Sequence, residues 1–159
     1  MRILSFKRIV LLNFIVGRIF GVNNRYPYSV HYTSKLGGAA GRLVIEDNST
    51  SVITSLAVSG GCYIQVHEGT DLYIGKGTLW APNITIVTGN HDLLDRCKYH
   101  RSSISIGRNC WLATGVVILP GVKLGNNVTV AANAVVNKSF PDNVVIGGVP
   151  ARIIKHLDN

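Results

Sequence analysis

A bulky aliphatic residue occurs at every sixth position of this chain across its C-terminal half. The positions are Ile106, Leu112, Ile118, Leu124, Val130 and Val136. The fourth residue after each is also apolar: Cys110, Val116, Val122, Val128, Ala134 and Phe140. A period of six fits neither a helix of 3.6 residues per turn nor the alternation of an ordinary strand. It is typical of a parallel β-helix, in which three short strands form a coil of about eighteen residues and each coil buries its apolar residues against the next.

The same phase continues upstream through Ile74, Trp80 and Ile86, and is then interrupted. Ile86 and Ile106 are twenty positions apart, which is not a multiple of six. We therefore expect a loop over residues 88–103 to leave the coil. Loops held by a rigid scaffold often carry function. This loop contains four candidate side chains for chemistry: His91, Asp92, Asp95 and His100.

The pattern divides the chain into three parts. Residues 43–148 are predicted to form an all-β parallel β-helix, although 43–73 show the repeat only weakly and read as short strands and turns. Residues 1–42 form a basic lead-in segment, with a helix expected over about 3–20. Residues 149–159 are expected to form a short tail.

The positive charge lies mainly in the lead-in segment. Residues 1–42 contain seven basic residues and no acidic one, whereas 43–159 contain nine basic and eight acidic residues. A nucleic-acid-binding stripe across the main body is therefore not expected. The apolar run at 9–16 is too short to span a bilayer. Such a segment can lie on a membrane surface, or it can pack as a helix on the protein with its cations in solvent, which is the interpretation we favour. We expect any membrane contact of residues 1–42 to be weak and electrostatic.

The three cysteines indicate a reducing compartment. Cys62, Cys97 and Cys110 form neither a disulfide framework nor a zinc-ligand spacing. The basic, apolar N-terminus is followed by no small-x-small cleavage site, so secretion is not expected. We expect a cytoplasmic protein, with the inner face of the membrane as a further location. Cys62 and Cys110 fit interior positions, and Cys97 lies in the predicted loop.

From about Val30 to His156 the sequence resembles the hexapeptide-repeat acyltransferases. The resemblance is carried by four stretches: Trp80-Ala81-Pro82-Asn83, Gly89-Asn90-His91-Asp92, Ile106 to Gly121, and Gly147-Gly148-Val149-Pro150-Ala151-Arg152. It is strongest to the sugar O-acetyltransferases of the galactoside, maltose, and capsule or lipopolysaccharide type. It implies a left-handed β-helix, a homotrimer, acetyl-CoA as co-substrate in a groove between subunits, a sugar or polysaccharide-precursor acceptor, and no metal.

The resemblance also assigns catalytic roles. His91 matches the histidine that removes a proton from the acceptor hydroxyl, a task suited to a side chain with a reference pKa of about 6.5. Asp92 and Asp95 are candidates to orient its ring, although a backbone carbonyl group could do the same. Backbone N–H groups of a neighbouring coil would stabilise the developing oxyanion. Asn83 and Asn90 are predicted to contact the substrate.

Six positions match the cofactor-binding residues of the family. Trp111 matches the residue beside the thiol end, and Thr114 and Ala132 match positions that line the pantetheine groove. Lys138, Arg152 and Lys155 match basic residues that bind the nucleotide phosphates, where charge-assisted hydrogen bonds are strong. The chain departs from the family where Ala131-Ala132-Asn133 replaces Gly-Ala-Gly and where Ala113 replaces a glycine.

The sequence leaves other functions open. One is N-acetylation of an amino-sugar nucleotide, and another is a metalloenzyme resembling the γ-class carbonic anhydrases, with His67, His91 and His100 as ligands. A non-catalytic scaffold is a third. The aromatic and polar residues Tyr26, Tyr28, His31 and Tyr32 could stack on a sugar ring, but we expect them to seal the end of the β-helix.

Overall fold

A computed structural model describes residues 5–38 and 41–157 of the chain. Two α-helices, α1 (Phe6–Phe20) and α2 (Thr50–Val58), and a 3-10 turn (Glu46–Asn48) accompany the strands in these ranges. The strands are β1 (Lys35–Gly37), β2 (Arg42–Ile45), β3 (Tyr63–Gln65), β4 (Asp71–Ile74), β5 (Leu79–Trp80), β6 (Thr85–Val87), β7 (Gly89–His91), β8 (Tyr99–Arg101), β9 (Ile104–Ile106), β10 (Trp111–Leu112), β11 (Val117–Ile118), β12 (Lys123–Leu124), β13 (Thr129–Val130), β14 (Val135–Val136), β15 (Val144–Gly147) and β16 (Arg152–His156).

Three parallel sheets form the walls of the β-helix. Sheet 1 contains β1, β3, β6, β11 and β14; sheet 2 contains β2, β4, β9 and β12; sheet 3 contains β5, β10, β13 and β15, with β16 added antiparallel. Each complete coil runs from sheet 2 to sheet 3 to sheet 1. Ile106 pairs with Leu124 eighteen positions later. The predicted left-handed parallel β-helix and the N-terminal helix are both confirmed.

The interior is the aliphatic ladder that the repeat predicts. The nine ladder residues from Ile74 to Val136 are at most 3% exposed, and the second set from Cys110 to Phe140 is at most 6% exposed. Burial of each Val, Leu or Ile side chain contributes about 1.5–3 kcal/mol. Cys62 and Cys110 are buried, and burial raises the pKa of both thiols, whereas Cys97 is exposed.

Glycine and asparagine alternate at several corners of the coils. Asn109 adopts a left-handed conformation with φ 53° directly beside Gly77, which has φ 81°. A Cβ atom on Gly77 would lie 2.0 Å from Oδ1 of Asn109. The same relationship joins Gly61 to Asn83 and Gly115 to Asn133. Each of these corners therefore needs a glycine beneath the asparagine of the next coil.

One loop leaves the regular coils. Ile74 pairs with Ile106 and Ile86 with Ile118, each thirty-two positions later rather than eighteen, so fourteen additional residues belong to this loop. The loop closes where the Ser102 N–H donates a hydrogen bond of 2.8 Å to the Thr88 carbonyl group. Between these residues β7 and β8 form an antiparallel hairpin.

The interpretation of residues 43–73 as strands and turns is wrong between Thr50 and Val58, where the chain forms α2. Val52 and Leu56, four positions apart, are buried on one face of this helix. Helix α2 lies between β2 of sheet 2 and β3 of sheet 1, so it takes the place of a sheet 3 strand in its coil. It packs beside β5, where the backbone N–H of Trp80 donates to the Ser55 hydroxyl group at 3.3 Å.

The two ends of the chain pack onto this body. Helix α1 packs on α2, and positions 3 and 4 of the predicted helix lie outside the described residues. Within the described ranges, neither helix has the length and apolar character needed to cross a bilayer. Tyr26 and Tyr28 pack, partly buried, against the core. Within the predicted C-terminal tail, β16 pairs antiparallel with β15.

Candidate functional site

The hairpin carries His91 on a geometry that depends on Gly89. In the β7–β8 pairing, His91 lies opposite Tyr99 and Gly89 lies opposite Arg101. A Cβ atom on Gly89 would lie 2.5 Å from the Tyr99 ring and 3.0 Å from Nδ1 of His67. A glycine at position 89 therefore leaves the space in which the Tyr99 ring packs against β7.

The ring of His91 is exposed but oriented. Its Nδ1 lies 2.8 Å from the carbonyl oxygen of Arg96, which can only accept a hydrogen bond. In the neutral ring Nδ1 therefore carries the hydrogen and Nε2 carries the lone pair. Within the described residues Nε2 makes no hydrogen bond, and the Tyr99 ring packs edge-on against the imidazole with centroids 4.9 Å apart. A ring nitrogen with an exposed lone pair can accept a proton, which is what a general base does.

Asp92 and Asp95, predicted to orient His91, instead shape the loop beside it. Asp92 accepts hydrogen bonds from the backbone N–H groups of Leu94 at 2.8 Å and of Asp95 at 2.9 Å. Its second oxygen lies 2.6 Å from Nε2 of His100. The Asp95 N–H group first, then His100, lowers the pKa of Asp92 to about 2. Both oxygens of Asp92 are thus engaged away from His91, and the Arg96 carbonyl group has the orienting contact.

A directional chain of hydrogen bonds begins below the hairpin. The Thr70 hydroxyl group lies 2.6 Å from the carbonyl oxygen of His67 and must donate to it. Thr88 Oγ1 lies 2.7 Å from Thr70 Oγ1 and must donate to it, because the hydrogen of Thr70 is already used. Thr88 Oγ1 can therefore only accept from His67, whose backbone N–H lies at 2.8 Å and whose Nδ1 lies at 3.4 Å.

His67 therefore carries its hydrogen on Nδ1, and its Nε2 accepts from the Tyr99 hydroxyl group at 2.7 Å. Burial, followed by the charge of Arg101, lowers the pKa of His67 and favours this neutral ring. Neither Tyr99 nor His67 was predicted from the sequence to support His91. The sequence does show an aromatic residue, Tyr99, eight positions after His91 in a loop long enough to form a hairpin. That spacing does not determine which residues of the two hairpin strands pair.

A second group of predicted residues lies on another edge of the β-helix, between sheets 3 and 1. The Thr114 hydroxyl group donates to the carbonyl oxygen of Pro82, next to Asn83, at 2.9 Å. The Asn133 N–H, next to Ala132, donates to the Thr114 carbonyl group at 2.9 Å. Asn83, Thr114 and Ala132 are exposed and belong to three successive coils. We refer to this line of residues as the Asn83 edge.

Trp111 lies on sheet 3 next to the Asn83 edge. Its side chain is 42% exposed and stands between Leu79 and Thr129 of the neighbouring strands. The departure at Ala131 is accommodated locally, because its Cβ lies 3.0 Å from where a Cβ on Gly147 would be. The methyl group of Ala131 thus packs over that glycine of the next coil.

The three predicted phosphate-binding cations are divided between two places. Arg152 and Lys155 are exposed on β16, at the end of sheet 3. The Arg152 guanidinium group contacts the carbonyl oxygen of Ala151 at 2.9 Å. Lys138 follows β14 on the edge between sheets 1 and 2, with its ammonium group 5.6 Å from the centre of the Phe140 ring.

Apart from Lys138, the cofactor candidates of one chain lie on a different side of the β-helix from His91. The hairpin with His91 and the exposed Asn90 emerges between sheets 1 and 2, the edge opposite sheet 3, where Trp111 lies. The metal-site hypothesis finds no support in the part of the chain that the structure describes: none of its His, Cys, Asp and Glu side chains form a group of three suited to a metal ion. His67, His91 and His100 are instead bound to Tyr99, Arg96 and Asp92.

The chain is similar in sequence to a family of bacterial transferases and to proteins named as acetyltransferases. Residues 103–138 match the family model described as bacterial transferase hexapeptide (six repeats). A protein of Escherichia coli K12 named as the colanic acid biosynthesis acetyltransferase WcaF is 33% identical over 137 residues, which cover 82% of this chain and 75% of the relative. The galactoside O-acetyltransferase of the same organism is 41% identical over 90 residues, 54% of this chain.

The chain spans 44% of the length of that galactoside enzyme. Among solved structures, the polysialic acid O-acetyltransferase OatWY is 28% identical and superposes with a TM-score of 0.60. That match covers 80% of this chain and 63% of the other.

Proposed function

This chain belongs to the family of hexapeptide-repeat transferases, and we propose that it is an O-acetyltransferase that moves an acetyl group from acetyl-CoA to a hydroxyl group of a sugar or polysaccharide precursor. The observation that carries the proposal is the state of His91. Its Nδ1 is held by the Arg96 carbonyl group, so that the Nε2 lone pair faces solvent on an exposed hairpin. The named activities of the relatives agree with this chemistry.

The reaction needs a base because a sugar hydroxyl group is a weak nucleophile at neutral pH. Acetyl-CoA, when bound, supplies an acetyl group activated as a thioester. Nε2 of His91 takes the proton of the acceptor hydroxyl group as its oxygen attacks, and returns a proton to the departing sulfur. The Arg96 carbonyl group stabilises the imidazolium between these transfers and keeps the ring aligned.

The residues of the Asn83 edge fit an elongated ligand with an anionic end. Thr114 and Ala132 expose backbone and small side chains along the edge, where pantetheine would lie, with Trp111 beside its thiol end. Arg152 and Lys155 at the end of sheet 3 supply cations for phosphate groups. Lys138 lies on a different edge and would serve a phosphate group only of a ligand held by a neighbouring copy.

The separation of His91 from Trp111 supports assembly as a homotrimer. In one chain the hairpin and sheet 3 lie on opposite sides of the β-helix. A ring of copies can bring the hairpin of one chain against the Asn83 edge of the next, which would complete a site between subunits. Asn90, next to His91, and Asn83 would then face the acceptor from two chains.

An acceptor screen tests the proposed function. The purified chain is incubated with acetyl-CoA and a panel of sugars, amino sugars, sugar nucleotides and oligosaccharides, and products are detected by thiol release and mass spectrometry. Acetyl ester formation that is lost in His91→Gln is the expected result. Acetylation confined to amino groups, or transfer that survives His91→Gln, would contradict it.

A further inference from the structure

Polar contacts of Asn13 fix the rotation of helix α1 about its axis. The side chain of Asn13 donates to the Ala57 carbonyl group at 3.1 Å and to Ser29 at 3.0 Å, and accepts from the Tyr32 N–H at 3.0 Å. Asn13 and Gly17 are buried, beside four half-buried apolar residues: Ile9, Val10, Leu12 and Val16. The face of α1 that meets the protein therefore combines partly buried apolar side chains with an amide and a glycine.

The opposite face of α1 is apolar and cationic together. Four large apolar side chains on it are exposed by 43–68%: Leu11, Phe14, Ile15 and Ile19. Lys7, Arg8 and Arg18 are exposed among them. Among the described residues none of these three cations makes an ion pair, and the Arg18 guanidinium group lies 5.5 Å from the centre of the Phe14 ring. We refer to these seven side chains as the outer face of α1.

The charge pattern favours one kind of occupant for the outer face. No acidic residue precedes Glu46 in the sequence. A second copy placed face to face on α1 would bring like charges together with no carboxylate between them. An anionic lipid surface instead offers phosphate groups to the cations and acyl chains to the apolar residues. The long Lys and Arg side chains can extend to the headgroups while the helix lies in the interface.

The length of the helix limits how deep it can enter. Fifteen residues extend over about 22 Å, less than the roughly 30 Å of a bilayer core. Because Asn13 and the packing on α2 hold the inner face of α1 against the protein, the helix can contact a membrane only with its outer face.

We propose that the outer face of α1 binds anionic membrane surfaces, with Leu11, Phe14, Ile15 and Ile19 entering the interface and Lys7, Arg8 and Arg18 meeting the headgroups. This binding does not depend on the proposed acetyl transfer, because the outer face shares no residue with the hairpin or the Asn83 edge. Its consequence is that the chain works beside a membrane.

Co-sedimentation with vesicles tests the proposal on the full chain. Vesicles of phosphatidylcholine mixed with phosphatidylglycerol are compared with vesicles of phosphatidylcholine alone, at low and high salt. The wild-type chain is expected to bind the anionic vesicles at low salt and to be released by salt. Absence of binding at low salt, or equal binding to both vesicle types, overturns the proposal.

Matched variants separate the outer face from general charge. Lys7→Gln/Arg18→Gln should weaken binding about five-fold for each cation removed. Lys76→Gln/Lys123→Gln removes the same charge from other surfaces and should bind as the wild type does. Equal losses in the two pairs would mean that only net charge matters, and would overturn the assignment.

A third variant tests the apolar part and the competing occupant. Leu11→Gln/Ile19→Gln changes two side chains that are 57% and 68% exposed, so the fold should be retained. Vesicle binding should fall while the oligomeric state, measured by light scattering, stays the same. A variant that dissociates into monomers and binds vesicles as well as the wild type would show that the outer face is a subunit interface instead.

Discussion

The hydroxyl group of Tyr99 donates a 2.7 Å hydrogen bond to Nε2 of His67, while the ring of the same tyrosine packs edge-on against His91. The Tyr99 side chain thus connects the proposed base to the hydrogen-bond network of His67, Thr88 and Thr70 on the β-helix. The direction of those bonds is determined by Thr70, whose single hydrogen is used on a carbonyl group. His91 is therefore supported from below by a residue that has one available hydrogen-bonding arrangement.

Substitution of Tyr99 measures this support. Tyr99→Phe keeps the edge-on contact but leaves Nε2 of His67 without its donor, and should lower kcat by about two- to ten-fold, the range that one neutral hydrogen bond provides. Tyr99→Ala removes both contacts and should lower kcat further, with the KM for acetyl-CoA unchanged. Steady-state kinetics of both variants give the comparison, and wild-type kcat in Tyr99→Ala would contradict the role.

Removal of His91 should affect turnover rather than binding. His91→Ala is expected to lower kcat by roughly 10²- to 10⁴-fold, the usual contribution of a general base. Acetyl-CoA affinity, measured by calorimetry, should change little, since the imidazole acts on the acceptor. His100→Gln alters another exposed histidine of the same hairpin and is the control, with an expected kcat within a few-fold of wild type.

Arg152 should bind phosphate. Arg152→Ala is expected to weaken CoA binding by about 1.5–3 kcal/mol if the guanidinium group makes a charged hydrogen bond there. The same substitution should reduce the affinity for dephospho-CoA less than the affinity for CoA if the contact is to the 3′-phosphate. Titration calorimetry with both ligands distinguishes these cases, with Lys123→Ala as a control on another sheet, and equal losses for both ligands would place the contact elsewhere on CoA.

Gly89→Ala should disrupt the hairpin without unfolding the coils. The added methyl group would lie 2.5 Å from the Tyr99 ring, so the tyrosine must move away. Such overpacking costs about 1–3 kcal/mol and falls on the hairpin and on the neighbouring His67 side chain, neither of which belongs to the buried ladder. Hydrogen exchange should increase at residues 89–101 with little change in the ladder strands; unchanged exchange in the hairpin would be the contrary result.

The loop around His91 should loosen in acid. Asp92 has a folded-state pKa of about 2, below its usual value of 3.8, so its stabilisation is complete above about pH 4 and is lost as the pH falls toward 2. The amide signals of Leu94 and Asp95, followed by NMR between pH 5 and pH 2, should report this loss. Asp92→Asn should remove that pH dependence, because an amide side chain does not titrate in this range.

The interior of this fold was predictable from the sequence, since the six-residue period alone specifies which side chains face inward. Ile106, Leu112 and Ile118 needed no information beyond their spacing. Helix α2 was not predicted, because its β-branched residues favour strands and its amphipathic stretch of nine residues is short. Its place in the fold is decided by packing against β5, which is a tertiary contact.

The candidate site was predictable in part for a related reason. The position of His91 follows from the interruption of the repeat and from the resemblance to a family. The contacts of its ring depend instead on the register of β7 with β8 and on the loop between them, where Arg96 happens to present its carbonyl group. Asp92 and Asp95 were reasonable candidates by residue type, but two carboxylates near a histidine in sequence do not determine which of them, if either, it meets.

The hairpin leaves and rejoins the coils at one edge, where Thr88 and Ser102 are hydrogen-bonded to each other. The strands before and after it keep the alignment of an uninterrupted ladder, since Ile86 still stacks on Ile118. The fourteen additional residues at this edge therefore leave the register of the coils unchanged. Related chains can therefore differ in the whole segment between residues 88 and 102, and in the chemistry that it carries. The coils on either side still pack on each other in the same register.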